Sequence, residues 1–338
     1  MSLKKLNYIG SKHSLLDFIQ NTIEEKTGIT DFSNASIADV FSGTSSVGHL
    51  FRNLNAKVFS NDLEYYAYVI ARASICSNYT VRLENLINEL NSVDSFIGII
   101  AQNYSEIGAD ERKFFTIENA KKIDGMRIRL ENMKSVLTED EYYFLLASII
   151  VCADAIANVP AIYGSFLKQF KKSAQKEMLL SPIHLKENSC QENRVFNCDC
   201  VSMVEQMDPV NIVYLDPPYN ERQYGKNYHV LNYIAKYDSE MEIYGKTGLI
   251  RNTTLSDWCM KAKAADKLEE LMEKLSTKTD WVFMSYNNEG IIPHETIQTI
   301  FNNYCETDLV STNYKRFKNF KYNESGETNE YIWVGRFN

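Results

Sequence analysis

The 338-residue chain contains no C-x-x-C pair, no G-x-G-x-x-G string and no apolar run long enough to cross a bilayer. Each absence removes a class of function. Seven cysteines, an odd number without paired spacing, argue against both a disulfide framework and a cysteine-based zinc site. Cys198-x-Cys200 stands alone, with no histidine near it and no second pair. The five histidines, at 13, 49, 184, 229 and 294, show no ligand spacing, so no metal is expected. The opening residues Met1-Ser2-Leu3-Lys4-Lys5-Leu6-Asn7 lack an apolar leader core. Together these features lead us to expect a reduced, cytoplasmic, soluble protein. Internal repeats, low-complexity tracts and Pro/Gly-rich linkers are also missing, and no Ser/His/Asp constellation stands out.

What is present is a hydrophobic fraction of 44%, enough for a sizeable core without staples. The net charge of −8 speaks against a nucleic-acid partner when taken by itself. The charge is uneven, however. Gly164 to Lys176 holds four lysines and no acid, and Ser311 to Tyr322 holds Lys315, Arg316, Lys318 and Lys321 and no acid. Solvated loops would account for both stretches. So would phosphate binding, and Tyr314, Phe317, Phe320 and Tyr322 among the cations are suited to stack on bases.

Apolar patterning divides the chain. Ser36 to Phe41 and Lys57 to Asn61 read as strands flanking a helix from Gly43 to Leu54, a β-α-β unit. Residues 65–159 read as almost wholly helical. Thr138-x-x-Glu141 there has the form of a capping box opening a long helix. Strand signals return at Arg194–Asn197, Asn211–Leu215, Trp281–Tyr286, Leu309–Tyr314 and Tyr331–Arg336. A helical insertion in an α/β chain explains this order better than two consecutive domains; a plain α/β domain with long helices is the simpler alternative.

Four strand ends carry chemistry-bearing residues. Asp39-Val40-Phe41-Ser42-Gly43-Thr44 closes the first strand with an acid and a glycine that permits a sharp turn and close ligand approach. Gly43-x-x-x-x-Gly48 is half of a phosphate loop, but His49-Leu50 follows where Lys-Ser/Thr is required, which excludes an ATPase of that type. A structural turn explains the motif equally well. Asp62, 23 residues after Asp39, suits ribose hydroxyls, although an acid there also suits a helix cap. Asn197-Cys198-Asp199 ends a third strand. Asp216-Pro217-Pro218-Tyr219 follows the apolar run Ile212–Leu215. Prolines lack N–H groups, so that loop offers acceptors and a flat ring to a planar amine. At the start, Asn7-Tyr8-Ile9-Gly10-Ser11-Lys12 reads by itself as a turn and cap before a helix from His13 to Glu25.

In this order the motifs resemble those of the D12-class, Dam-like adenine-N6 DNA methyltransferases that use S-adenosylmethionine, over nearly the whole chain. The resemblance implies a Rossmann-like methyltransferase fold with a mixed, mostly parallel sheet. Residues 1–64 and 191–338 would form the catalytic domain, and 65–190 a mostly helical target-recognition insertion. It implies cofactor contacts from Asn7, Tyr8, Gly10, Ser11, Lys12, Asp39, Phe41, Gly43, Thr44, Asp62, Cys198, Asp199 and Asp216. Asp62 would meet the ribose and Asp199 the cofactor's adenine amine. Cys198 departs from the glycine-like residue expected before Asp199. Asp216, Pro217, Pro218 and Tyr219 would form the catalytic motif, orienting and stacking a flipped adenine. Asn220–Tyr224 and Asn227–His229 are similar to an extension found in restriction–modification enzymes. Candidate DNA contacts are Lys168, Lys171, Lys172, Arg222, Lys226, Lys315, Arg316 and Lys318. The implied partners are duplex DNA and a cognate endonuclease without stable contact. Competing readings are methylation of cytosine N4, of an RNA adenine or of a small-molecule amine, and a catalytically dead DNA-binding relative.

Overall fold

Val210–Leu215 has no charged residue, and such a run suits a strand covered on both faces. Ile212, Val213, Tyr214 and Leu215 are fully buried in the central strand of a seven-stranded sheet. The computed structural model describes residues 12–183, 185, 192–315 and 327–337; for 313–315 and 327–329 it describes the backbone alone. Its strands are β1 (Ser36–Asp39), β2 (Lys57–Asn61), β3 (Arg194–Phe196), β4 (Val210–Leu215), β5 (Ile243–Tyr244), β6 (Leu249–Ile250), β7 (Thr279–Asn287), β8 (Glu306–Lys315) and β9 (Glu327–Arg336).

The large sheet has the order β3-β2-β1-β4-β7-β9-β8. β3, β2, β1, β4 and β7 pair in parallel, while β9 runs antiparallel to both β7 and β8. This is the Rossmann-like, mixed and mostly parallel α/β sheet expected. Strand order reverses between β1 and β4, which creates a crevice beyond their C-terminal ends. Asp39 stands opposite Tyr214 in the register, so Asp216 follows immediately at the same edge.

The chain forms two compact units, each with its own apolar core. The sheet unit comprises Ser11–Leu63, Asn188–Gln223 and Leu255–Asn338. In it, Gly28 ends the helix Leu16–Thr27 in a left-handed conformation and donates its N–H to Glu24. The helix expected from Gly43 begins later, at Ser46, because Gly43 (φ +49°) and Ser45 (φ +60°) are both left-handed and hold the turn open.

The helical unit contains Glu64–Glu187 and Tyr224–Thr254. Its longest helix, Glu139–Ile156, opens with the anticipated capping box, in which Thr138 and Glu141 each accept the other's N–H. Asp124 caps a second helix, accepting from the N–H groups of Gly98, Ile100 and Ala101 at 2.8–3.0 Å. Segment 224–254 joins these helices through Arg127, a buried guanidinium whose Nε donates to the Ile234 carbonyl at 2.8 Å. From its sequence, that segment would have been grouped with the sheet. Among the described residues no helix is long and apolar enough to cross a membrane.

Candidate active site

Parallel strands end together, so their terminal polar residues converge. Asp39 at the end of β1 is almost fully buried, and its Oδ2 accepts the Gly48 N–H at 2.9 Å. Burial pushes its carboxyl up to about 7; the Gly48 bond opposes this and the nearby Asp216 and Asp62 charges add to it. Asp62 Oδ2 accepts the Gly43 N–H at 2.7 Å, tying the first turn to the end of β2. Asn61 joins three strand ends. Its amide donates to the carbonyls of Val40 and Cys198 at 3.1 and 3.2 Å, and its carbonyl oxygen accepts the Cys198 N–H.

The turn after β1 carries the marks of a ligand-holding loop. A serine with positive φ is strained relative to glycine, and Ser45 adopts that conformation while fully buried. Among the described residues the buried Ser42 and Ser45 hydroxyls have no hydrogen-bond partner. Phe41 packs edge-on against Trp258 with ring centroids 5.0 Å apart, and Thr44 Oγ1 lies 2.9 Å from Ser46 Oγ.

Asp199 caps its own helix, accepting the Val201 N–H at 2.9 Å, while the rest of its side chain is exposed. Asp216 lies beside Lys12, with Nζ 3.0 Å from Oδ1, and the same ammonium is 2.6 Å from Glu330 Oε1 on β9. Burial raises the Asp216 carboxyl to about 6; Lys12 counteracts and Glu330 reinforces that rise. Burial alone would lower the Lys12 ammonium, but the two carboxylates hold it well above its ordinary value. The Tyr219 carbonyl accepts the Ile291 N–H at 3.2 Å, so the loop after β7 fixes the backbone of the loop after β4. That loop needs a glycine: a Cβ at Gly290 would lie 2.0 Å from the Tyr286 ring.

The sheet edge therefore brings together Lys12, Asp39, Phe41, Gly43, Thr44, Asp62, Cys198, Asp199 and Asp216–Tyr219. Asn7, Tyr8, Gly10, Ser11, Arg316 and Lys318 lie outside the described residues, as does the Lys315 side chain. Lys168, Lys172 and Lys226 are exposed on the helical unit, and Arg222 is exposed on the sheet unit. Lys171 differs: it is half-buried and its Nζ donates to the Val159 carbonyl at 2.9 Å. Among the described residues no group of three His, Cys, Asp or Glu side chains could hold a metal ion. Glu330, Asn61 and Trp258 were missed from the sequence. An acid heading the apolar run Tyr331–Val334 was the available signal for Glu330.

Residues 8–300 match the model of the D12 class N6 adenine-specific DNA methyltransferases. The chain belongs to this family. The methyltransferase is also 38% identical to the type II methyltransferase M.NlaIII of Neisseria lactamica, over 97% of this chain and 98% of that one. It is 35% identical to M.CviAII of Paramecium bursaria Chlorella virus 1, over 94% of each. It is 33% identical to M.FokI of Planomicrobium okeanokoites, over 97% of this chain and 52% of the longer relative. The methyltransferase is thus an enzyme of DNA adenine methylation, and its sheet edge is where that chemistry is to be sought.

Proposed function

We propose that the chain transfers a methyl group from S-adenosylmethionine to N6 of a specific adenine in duplex DNA, as the modification partner in a restriction–modification system. The observation that carries this reading is the juxtaposition of Asp216 and Asp39 across β4 and β1 at the switch point. The donor set suits the cofactor. Four carboxylates at the sheet edge favour a cationic ligand, and two buried hydroxyls beside a left-handed turn, without a partner among the described residues, favour a polar one. In this reading Asp39 and the turn at Phe41–Thr44 hold the methionine part, Asp62 the ribose and Asp199 with Cys198 the adenine ring.

An exocyclic amine of adenine is a weak nucleophile because its lone pair is delocalised into the ring. Asp216 and the Pro217 carbonyl accept hydrogen bonds from its two N–H groups and draw that lone pair towards tetrahedral geometry. Tyr219 stacks on the base, which must leave the duplex to reach this loop. The cofactor, when bound, supplies an electrophilic sulfonium methyl. N6 would take that methyl as the bound cofactor's leaving thioether keeps the bond's electrons, and Asp216 is placed to receive the proton that N6 then loses. The helical unit, Glu64–Glu187 together with Tyr224–Thr254, reads the target sequence, and Lys168, Lys172, Lys226 and Arg222 contact phosphates.

Asp216→Ala is expected to lower kcat by about 10²–10³-fold with the cooperative unfolding transition retained. Single-turnover transfer of labelled methyl checks this, and a near-normal rate in the folded variant would remove Asp216 from the mechanism.

A further inference from the structure

Lys12, Asp216 and Glu330 form a buried cluster of one cation and two anions, with side-chain exposures of 7%, 17% and 9%. Three elements deliver them. Lys12 opens a 3-10 turn, Asp216 follows β4, and Glu330 stands on β9 opposite Asn287 of β7. The shorter contact is to Glu330, at 2.6 Å against 3.0 Å to Asp216. A second carboxylate beside a buried ion pair is unfavourable unless it has a task, because it adds uncompensated charge to a low-dielectric site. Neutralising Asp216 needs only Lys12.

We propose that Glu330 is a positioning residue for methyl transfer: it fixes the Lys12 ammonium against Asp216 Oδ1 and shares that ammonium's charge with the catalytic carboxylate. An Asp216 fully neutralised by Lys12 would be a poor acceptor for the amine. An Asp216 without Lys12 would be protonated near neutrality and would lose acceptor capacity. Divided between two carboxylates, the ammonium keeps Asp216 ionised and still available. The other titratable groups facing Asp216 are Asp39 on β1, itself close to Asp62, and the neutral Tyr214 hydroxyl on β4, which donates to Ser285 at 2.8 Å. None of these is bonded to Lys12 among the described contacts, so Glu330 is its one competitor there. The consequence for catalysis rests on the reading of Asp216 as the amine's acceptor; the charge sharing does not.

The test is a graded series. Glu330→Gln keeps an oxygen for Lys12 and removes the competing charge; Glu330→Asp keeps the charge but draws it back by one methylene. Two readouts are taken. One is the acid limb of kcat/KM against pH for methyl transfer to duplex DNA. The other, independent of activity, is the ¹³C titration of the Asp216 carboxyl in labelled protein, assigned with Asp216→Asn. The midpoint in both is expected to fall in the order wild type, Glu330→Asp, Glu330→Gln, with the last about half a pH unit or more below wild type. Titrations that coincide in the folded variants, or that move to higher pH, would overturn the proposal. If Glu330→Gln fails to fold, the shift in Glu330→Asp decides alone. A shifted ¹³C titration with an unmoved activity profile would retain Glu330's control of Lys12 and refute Asp216's role in the reaction.

Discussion

Asp39 is ionised only at a cost, because its carboxyl sits almost fully buried at the end of β1 with Asp216 and Asp62 nearby. Its folded value of about 7 lies above the unfolded value of 3.8, so the folded state holds the proton more tightly. The stability this contributes is complete below about pH 4 and is lost as pH rises through about 7. Asparagine keeps an oxygen for the Gly48 N–H and carries no charge. Asp39→Asn is therefore expected to be more stable than wild type at pH 8, by on the order of 1 kcal/mol, with the gain vanishing near pH 4. Urea denaturation at the two pH values checks this, and a variant destabilised equally at both would contradict the account. Asp39 was legible in the sequence as an acid at a strand end. Its raised carboxyl was not, because that comes first from burial in the folded sheet and then from the charges of Asp216 and Asp62, 177 and 23 positions away. The same holds for Glu330, which meets Lys12 across 318 positions.

Elements were legible where their pattern was local. β4 holds the apolar run Ile212–Leu215 directly before Asp216, β2 ends in polar residues at Ser60 and Asn61, and the capping box at Thr138 announces a helix by its own spacing. Thr138→Ala should cost about 1 kcal/mol of stability and leave kcat unchanged, since both capping bonds are distant in sequence from the catalytic strands. Denaturation of the variant alongside a transfer assay checks both parts. The turn from Gly43 to Ser46 was less legible: glycine signalled it, but nothing marks Ser45 as a left-handed residue. Likewise, Tyr224–Thr254 has ordinary helical spacing near its start, and it is long-range bonds, such as those of Arg127 to Ile234 and Ala235 and of Tyr104 to Gly248, that assign it to the helical unit. Asn61 shows how elements make a site. One buried amide fixes the ends of β1 and β3 relative to β2, and with them Asp39 and Asp199.

At the scale of the molecule, an acidic protein of net charge −8 must bind a polyanion through a minority of its surface. We place such a region in the basic stretch from Gly164 to Lys176. Lys168 and Lys172 are exposed there, whereas Lys171 is bonded to the Val159 carbonyl. DNA affinity should fall steeply with salt, and Lys168→Ala or Lys172→Ala should each reduce the slope of log K against log salt by about 1. Lys171→Ala should instead lower stability with the slope unchanged. Fluorescence anisotropy with labelled duplex over a salt series separates these outcomes. The central claim, that this sheet edge methylates adenine N6 in DNA, is tested most directly by the product. Tritiated S-adenosylmethionine and duplex DNA are incubated with the enzyme, the DNA is digested to nucleosides, and the labelled nucleoside is identified. The account predicts N6-methyldeoxyadenosine as the labelled product; label in N4-methyldeoxycytidine, or only in an RNA substrate, would contradict it.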